Sequence, residues 1–203
     1  MTTNVFILRP TLADYDRREI LRYARVGSPD EQLESLLEET LRISDGKITP
    51  RVCYAEYPLT FDGDLVKVGN ISVRSKSLAK ALCGCESAVI LAATVGVEMD
   101  RLIRKYSGIE PSRALLLQAI GTERVEALCD VFCQILGEAK AKSGARLRPR
   151  FSPGYGDLPL EMQKDIFSLL GCPSNVGITL NESLIMSPSK SVTAIVGIEK
   201  HPN

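Results

Sequence analysis

The chain has 203 residues with 25 basic and 25 acidic side chains, and only 5% of its residues are aromatic. This length suits one large domain, or at most two, with a sizeable core. Balanced charge gives no electrostatic basis for binding nucleic acid or an anionic membrane, and the few aromatics do not favour base stacking. No run approaches 18 apolar residues, and the N-terminus lacks the basic-then-apolar pattern of a signal peptide. We expect a cytoplasmic protein that contacts neither nucleic acid nor membrane.

Six cysteines raise the question of a metal site. Structural zinc usually takes matched C-x₂₋₄-C pairs, often with histidine, and the only histidine here is His201. Cys83 and Cys85 form a C-x-C, whereas Cys129 and Cys133 have the i,i+4 spacing of one helix face. We expect core or reduced surface thiols. A metal site and redox use are the alternatives.

The first half of the chain predicts two helices followed by strands. Apolar spacing indicates a helix over 11–24, and Ser28-Pro29-Asp30-Glu31 is typical of a helix start, with Ser28 as N-cap and Glu31 closing a capping box. This second helix should reach about residue 44. Strands are expected over 48–73, with a hairpin turn at Asp62-Gly63.

The second half mixes helices and strands without a regular βα alternation. Helices are predicted over 77–82, 97–106, 112–142 and 160–170, with Gly121 as a candidate bend in the longest. Strands are predicted over 88–93, 178–180, 184–186 and 192–198. This order favours an α+β fold with an antiparallel sheet. No linker or repeat interrupts the chain, so we expect one domain over residues 1–203.

The segment 150–157 (Arg-Phe-Ser-Pro-Gly-Tyr-Gly-Asp) is too rich in proline and glycine for a helix or a central strand. Pro153 has a fixed φ and no N–H, and Gly154 permits positive φ and close approach of the backbone to a ligand. Such a loop can hold backbone amides, an aromatic ring and a guanidinium around one small polar molecule. The alternative is a plain surface turn between two helices.

Several common sites are not supported by the sequence. It contains no Gly-x-Gly-x-x-Gly and no Walker A motif, so dinucleotide and nucleoside-triphosphate cradles are not indicated. A Ser-His-Asp or Cys-His hydrolase would have to use His201, the third residue from the end of the sequence. We therefore predict no catalytic side chain of these kinds and no metal ligand.

The pattern Arg150-x-x-x-Gly154-Tyr155 resembles the S-adenosylmethionine-binding motif of the activation (reactivation) domain of cobalamin-dependent methionine synthase. A second similarity covers 177–186 and 188–192, which resemble that family's C-terminal strand pair. Glu182 matches the family's Thr-Glu-Ser, either as a ligand contact or as a buttress of the loop. The remaining segments are more similar to small free-standing members. The resemblance implies a twisted antiparallel or mixed sheet flanked by helices.

The resemblance also implies a site for S-adenosylmethionine (AdoMet). The guanidinium of Arg150 would hold the ligand carboxylate through two parallel hydrogen bonds, and Tyr155 would lay its ring along the ligand. Backbone groups from Gly154 to Asp157 would meet the adenine edge. The helix before the loop offers Glu123, Glu126 and Asp130 for the ammonium and ribose. The predicted binding residues are Arg150, Pro153, Gly154, Tyr155, Asp157 and Glu126.

The implied function is reactivation of a partner's cofactor. In the family, inactive cob(II)alamin is restored by one-electron reduction coupled to methylation by AdoMet. The Asp-x-His-x-x-Gly motif that supplies a cobalt ligand is absent, so cobalamin would come only with a separate methionine synthase or related corrinoid protein. A flavodoxin- or ferredoxin-type protein is the candidate reductant. The chain would be an accessory component of this methyltransferase system. The alternative is a docking module for a corrinoid protein that has lost AdoMet binding.

Overall fold

The computed structural model describes residues 4–200 and places nine strands in that range. In chain order they are β1 (Phe6–Leu8), β2 (Arg51–Asp62), β3 (Leu65–Val68), β4 (Ile71–Arg74), β5 (Ser87–Thr94), β6 (Ala145–Leu147), β7 (Thr179–Leu180), β8 (Met186–Ser187) and β9 (Ser191–Lys200). Seven helices lie between them: α1 (Arg17–Tyr23), α2 (Glu31–Ser44), α3 (Lys76–Ala81), α4 (Glu98–Ser107), α5 (Pro111–Ala141), α6 (Met162–Leu170) and α7 (Cys172–Val176).

A seven-stranded sheet organises the molecule. Its order is β4-β3-β2-β5-β9-β6, with β1 pairing β2 beside that path, and each of these pairings is antiparallel. Strands β7 and β8 form a separate antiparallel pair. Asp62 and Leu65 face each other across the β2–β3 hairpin, so the predicted turn is confirmed. The predicted α+β fold with an antiparallel sheet flanked by helices is also confirmed.

Each face of the sheet covers its own hydrophobic core, because successive side chains of a strand point to opposite faces. Val52 of β2 lies in a core closed by α1, α2, α4 and α5. The next residue, Cys53, lies in a second core closed by α3, α6 and α7. Strand β5 is buried along almost its whole length, which explains its continuous apolar run.

Helix α5 is 31 residues long and runs past Gly121 without a break. Gly121 instead provides room. A Cβ at this position would lie 2.9 Å from Cγ of Lys190, whose ammonium donates to Oγ1 of Thr122 at 3.0 Å. Burial of this ammonium lowers the pKa of Lys190. The glycine therefore admits a long cationic side chain between α5 and the start of β9.

The N-termini of the first two helices differ from prediction. Helix α1 begins only after Asp16, whose carboxylate accepts from the backbone N–H of Arg18 at 3.0 Å. Helix α2 is capped by Asp30 and not by Ser28: the Asp30 carboxylate accepts from the N–H of Leu33 at 2.8 Å. The capping-box prediction was therefore wrong. Both residue types are good caps, and the carboxylate adds a favourable interaction with the helix dipole.

Strand β6 and helix α7 are short elements that had no predicted counterpart. Strand β6 has three residues and pairs with the end of β9. Helix α7 follows directly on α6, which ends at Gly171 with φ +56. Within residues 4–200, no group of three or more His, Cys, Asp or Glu side chains is arranged to hold a metal, and no helix there has the length and apolar character needed to span a bilayer.

Candidate functional site

A cleft of about 770 Å³ opens between α5, α6, the loop 150–157 and the start of β9. The loop follows directly on β6, which pairs with β9, and Phe151 in the loop forms an isolated bridge with Ile195 of β9. These contacts hold the loop beside β9, where the cleft opens. The polar and aromatic side chains that matter most in its walls are Glu126, Asp130, Arg150, Tyr155, Gln163 and Thr193.

Arg150 is held by two carboxylates of α5. Glu126 and Asp130 are four residues apart, so they lie on one face of the helix. The guanidinium Nη2 is 3.0 Å from Oε2 of Glu126, and Nη1 is 2.6 Å from Oδ1 of Asp130. The Arg150 side chain is 24% exposed, whereas the Asp130 side chain is 72% exposed. This cluster of one cation and two anions therefore faces the cleft, and its cation is the most protected of the three. The structure thus brings the predicted pair Arg150 and Glu126 together.

The middle of the loop forms the rim of the cleft. Pro153 is buried in the wall, and Tyr155 is 67% exposed with its ring 6.5 Å from that of Phe151. Gly154 has φ +90, which only glycine adopts readily, and its N–H donates to the carbonyl of Leu158 at 3.0 Å. Gly154 thus shapes the turn that presents Tyr155, while its own N–H is used within the loop.

Asp157 points away from the cleft. Its carboxylate accepts from Ser75 Oγ at 2.5 Å and from the N–H groups of Lys76 and Ser77 at 2.8 and 3.0 Å. These hydrogen bonds, that from Ser75 first, lower the pKa of Asp157 well below its usual range. The side chain therefore fastens the loop to the start of α3. The predicted contact of its backbone with adenine stays a prediction.

Two other acidic residues considered from the sequence also lie elsewhere. Glu123 forms a buried ion pair with Arg124, which also donates to the carbonyl of Ala13 at 2.7 Å. Glu182 is exposed in the turn between β7 and β8. Of the three acidic residues considered on this helix, Glu126 and Asp130 face the cleft and Glu123 does not.

Comparison with known proteins supports the sequence resemblance. The family model described as "Vitamin B12 dependent methionine synthase, activation domain" matches residues 145–203. A crystal structure of the MetH reactivation domain bound to AdoHcy has a TM-score of 0.66 and 13% sequence identity, covering 98% of this chain and 80% of that one. The chain has the fold of the methionine synthase activation domain. The predicted resemblance is thereby confirmed. A search of curated proteins gave no match.

The family match and the cleft overlap only in part. Arg150 and the loop lie inside the matched residues 145–203, as do Gln163 and Thr193. The two carboxylates that hold Arg150 lie outside them, on α5. The carboxylate partners of Arg150 therefore lie in a part of the chain that the family model does not match.

Three polar atoms in the cleft walls could not be anticipated from the sequence. These are Nε of Arg148, Oε1 of Gln163 and Oγ1 of Thr193, and each is buried without a hydrogen-bond partner among residues 4–200. Buried polar side-chain atoms are normally paired. They are the only such atoms found in the described residues, and all three belong to residues that line this one cleft.

Thiols contribute no charge to the site. Cys133 lies 3.9 Å through its Sγ from Nη1 of Arg150 and also lines the cleft. Burial raises the pKa of Cys133, an effect that the neighbouring Arg150 only partly opposes. Burial likewise raises the pKa of Cys129 to about 12. Both thiols are thus neutral near pH 7, and neither is poised as a nucleophile.

Proposed function

We propose that this protein binds AdoMet in the cleft and supports reductive methylation of the cobalamin of a separate methionine synthase. The observation that carries the proposal is the placement of Arg150, the arginine of the family motif, against Glu126 and Asp130 in the cleft wall. The structural relative was crystallised with AdoHcy, the demethylated form of this ligand.

The charges of the cleft fit an α-amino acid. Arg150 can take the ligand carboxylate through its planar guanidinium, while Glu126 and Asp130 can take the ammonium. Without ligand, these three side chains neutralise each other in part. Binding then exchanges one set of ion pairs for another, so no buried charge is left unpaired.

The rim of the cleft offers contacts for the adenosine part of the ligand. Tyr155 offers an exposed aromatic face beside the loop, and Asp157 anchors that loop to α3 through three hydrogen bonds. A loop fixed in this way can position a ligand without rearranging. Contacts of the Gly154–Asp157 backbone with adenine are part of the proposal.

The protein would act by positioning the methyl donor. AdoMet would supply a methyl cation when bound, and a flavodoxin- or ferredoxin-type reductant would supply one electron. Cob(II)alamin on the partner would thereby become methylcobalamin, with AdoHcy as the other product. Holding the methyl donor in the right orientation can by itself accelerate methyl transfer by a large factor. The neutral Cys133 and Cys129 fit a role without covalent catalysis.

A docking module without AdoMet binding is the second candidate. It is favoured by the same ion pairs, because Arg150 already has two carboxylate partners and needs no ligand for charge compensation. The two functions differ in a single measurable property, the affinity for AdoMet.

Calorimetry tests the proposal directly. The wild-type protein is titrated with AdoMet beside Arg150→Ala and a matched control, Arg146→Ala. Arg146 has the same charge and is exposed on β6, outside the cleft walls. Arg150→Ala should weaken binding roughly 30-fold, about 2 kcal/mol, because Arg150 is largely shielded from water. Arg146→Ala should bind like wild type. The absence of heat with wild type at millimolar AdoMet would leave the docking module.

A further inference from the structure

Gln163 and Thr193 both line the cleft, and neither takes part in the ion pairs of Arg150. Gln163 is 6% exposed and Thr193 is 2% exposed. Oε1 of the first and Oγ1 of the second have no hydrogen-bond partner among residues 4–200. A buried polar atom left unpaired destabilises a protein by about 1–3 kcal/mol. Two such atoms in one cleft indicate that the unliganded protein is missing a hydrogen-bonding group there.

We propose that Gln163, assisted by Thr193, recognises the adenine base of the adenosyl ligand. This inference rests on the proposed function and assigns it two further binding residues. The ligand has a charged amino-acid end and an uncharged base. The charged side chains Glu126, Asp130 and Arg150 match the first, and a neutral amide with a hydroxyl matches the second.

The chemistry of an amide favours adenine in particular. A glutamine side chain can accept from the N6 amino group of adenine and donate to N7 at the same time. The oxygen and nitrogen of the Gln163 amide exchange places by rotation about the last side-chain bond, so either can face the ligand. Thr193 can likewise turn its hydroxyl by rotation about one bond.

Both side chains are carried by rigid elements, which a specific contact requires. Gln163 lies in the first turn of α6, next to the buried Met162 and one turn before the buried Phe167. Thr193 lies within β9, paired with Ala92 of β5 in the centre of the sheet. Neither residue is on a loop that could move away to find another partner.

The test compares two ligands that differ only at the base. AdoHcy carries adenine, and S-inosylhomocysteine carries hypoxanthine, in which an oxygen replaces the amino group. Both are titrated into wild type, Gln163→Leu and the control Gln134→Leu. Gln134 is exposed on α5, bonded to Glu138 and outside the cleft walls. Wild type and Gln134→Leu should prefer AdoHcy by about tenfold or more, since a bidentate contact discriminates by about 1–3 kcal/mol. Gln163→Leu should lose most of this preference and keep only the part that backbone contacts of the loop contribute.

The outcomes separate this inference from the proposed function. If wild type binds AdoHcy but Gln163→Leu keeps the full wild-type preference for adenine, the inference is wrong and the function stands. If wild type shows no preference between the ligands, the inference is wrong as well. If wild type binds neither ligand, the function and the inference fail together.

Thr193 has a second signature that a merely structural threonine would not give. In Thr193→Val the unpaired hydroxyl is removed at nearly constant volume, so the Tm of the unliganded protein should rise by about 2–4 °C. The affinity for AdoHcy should fall about threefold or more, because a ligand contact is lost. Thr60→Val, on the exposed side of β2, should change neither affinity nor the Tm by as much. A Thr193→Val protein with unchanged affinity would remove Thr193 from the site.

Discussion

The side chains of the loop 150–157 have two different roles: some face the cleft, and another fixes the loop in place. Arg150 and Tyr155 face the cleft, whereas Asp157 faces the start of α3. The motif therefore combines a binding face with an internal anchor. The anchor is a carboxylate that accepts three hydrogen bonds, and its strength must depend on its ionisation.

Replacement of this anchor should give a pH-dependent loss of stability. The pKa of Asp157 is lowered in the folded protein, so its contribution is present above the unfolded pKa, about 3.9, and is lost as pH falls through the folded pKa. Asp157→Asn should therefore have a lower Tm than wild type at pH 7. The difference in Tm should shrink as the pH falls below about 4. Thermal unfolding followed by circular dichroism over this pH range measures it.

Glu182→Gln provides the control for the Asp157 variant. Glu182 is an exposed acid for which no hydrogen bond is found among the described residues. Its replacement should leave the Tm close to wild type at each pH. An Asp157→Asn protein with a Tm difference that stays constant from pH 7 to pH 3 would contradict the anchoring role of the carboxylate.

Among whole elements, α5 connects the first core of the sheet to the cleft. One face of the helix packs against the sheet, another carries Glu126 and Asp130, and Gly121 makes room for Lys190. A glycine inside a helix is ordinarily unfavourable by about 1 kcal/mol relative to alanine. Here the glycine is needed because a side chain at position 121 would collide with Lys190.

A double-mutant cycle should reveal this link. Gly121→Ala places a Cβ 2.9 Å from Cγ of Lys190, so the contact should cancel or exceed the gain in helix propensity. In a Lys190→Ala background the same change should stabilise the protein by about 0.5–1 kcal/mol. Urea unfolding of the four proteins gives the coupling free energy. Equal effects of Gly121→Ala in both backgrounds would show that the two positions are independent.

Long buried elements were predictable from the sequence, and short ones were not. The apolar run of β5 and the helical spacing of α5 are strong signals because burial constrains many consecutive residues. Strand β6 has three residues and helix α7 has five, so neither shows a period. The start of α2 was misplaced because Ser28 and Asp30 can both cap a helix, and only geometry decides between them.

The candidate site was predictable where a motif carried it. Arg150, Tyr155 and Glu126 were named from the loop and from the resemblance, and the cleft brings them together. Gln163 and Thr193 could not be found in this way. A glutamine in an amphipathic helix and a threonine in a strand are ordinary residues for those elements. Their significance lies in a missing hydrogen-bond partner, which is visible only once the chain is folded.

At the scale of the whole molecule, the proposed reaction brings the cleft together with a corrinoid carried by a second protein. We expect a weak and transient complex with a corrinoid-bearing methionine synthase, since the same corrinoid must also serve the partner's other methyl-transfer steps. The exposed Tyr155 beside the cleft belongs to the face expected to meet it.

Reactivation in trans is the corresponding prediction. A methionine synthase without its own activation domain is converted to the cob(II)alamin form and given an electron donor and AdoMet. Its activity should recover when the wild-type protein or Arg146→Ala is added. Arg150→Ala should give at most a small fraction of that recovery, because the donor is no longer held. Equal recovery without any added protein would leave only a docking role.

The close contact between Gly121 and Lys190 also restricts the order in which this sequence can change. A larger residue at 121 gains its helix propensity in full only after position 190 has lost its long side chain, whereas a shorter residue at 190 creates no such close contact with Gly121. Substitutions at the two positions should therefore accumulate in one direction during divergence. Lineages that keep lysine at 190 should keep glycine at 121, although glycine is a poor residue for the middle of a helix.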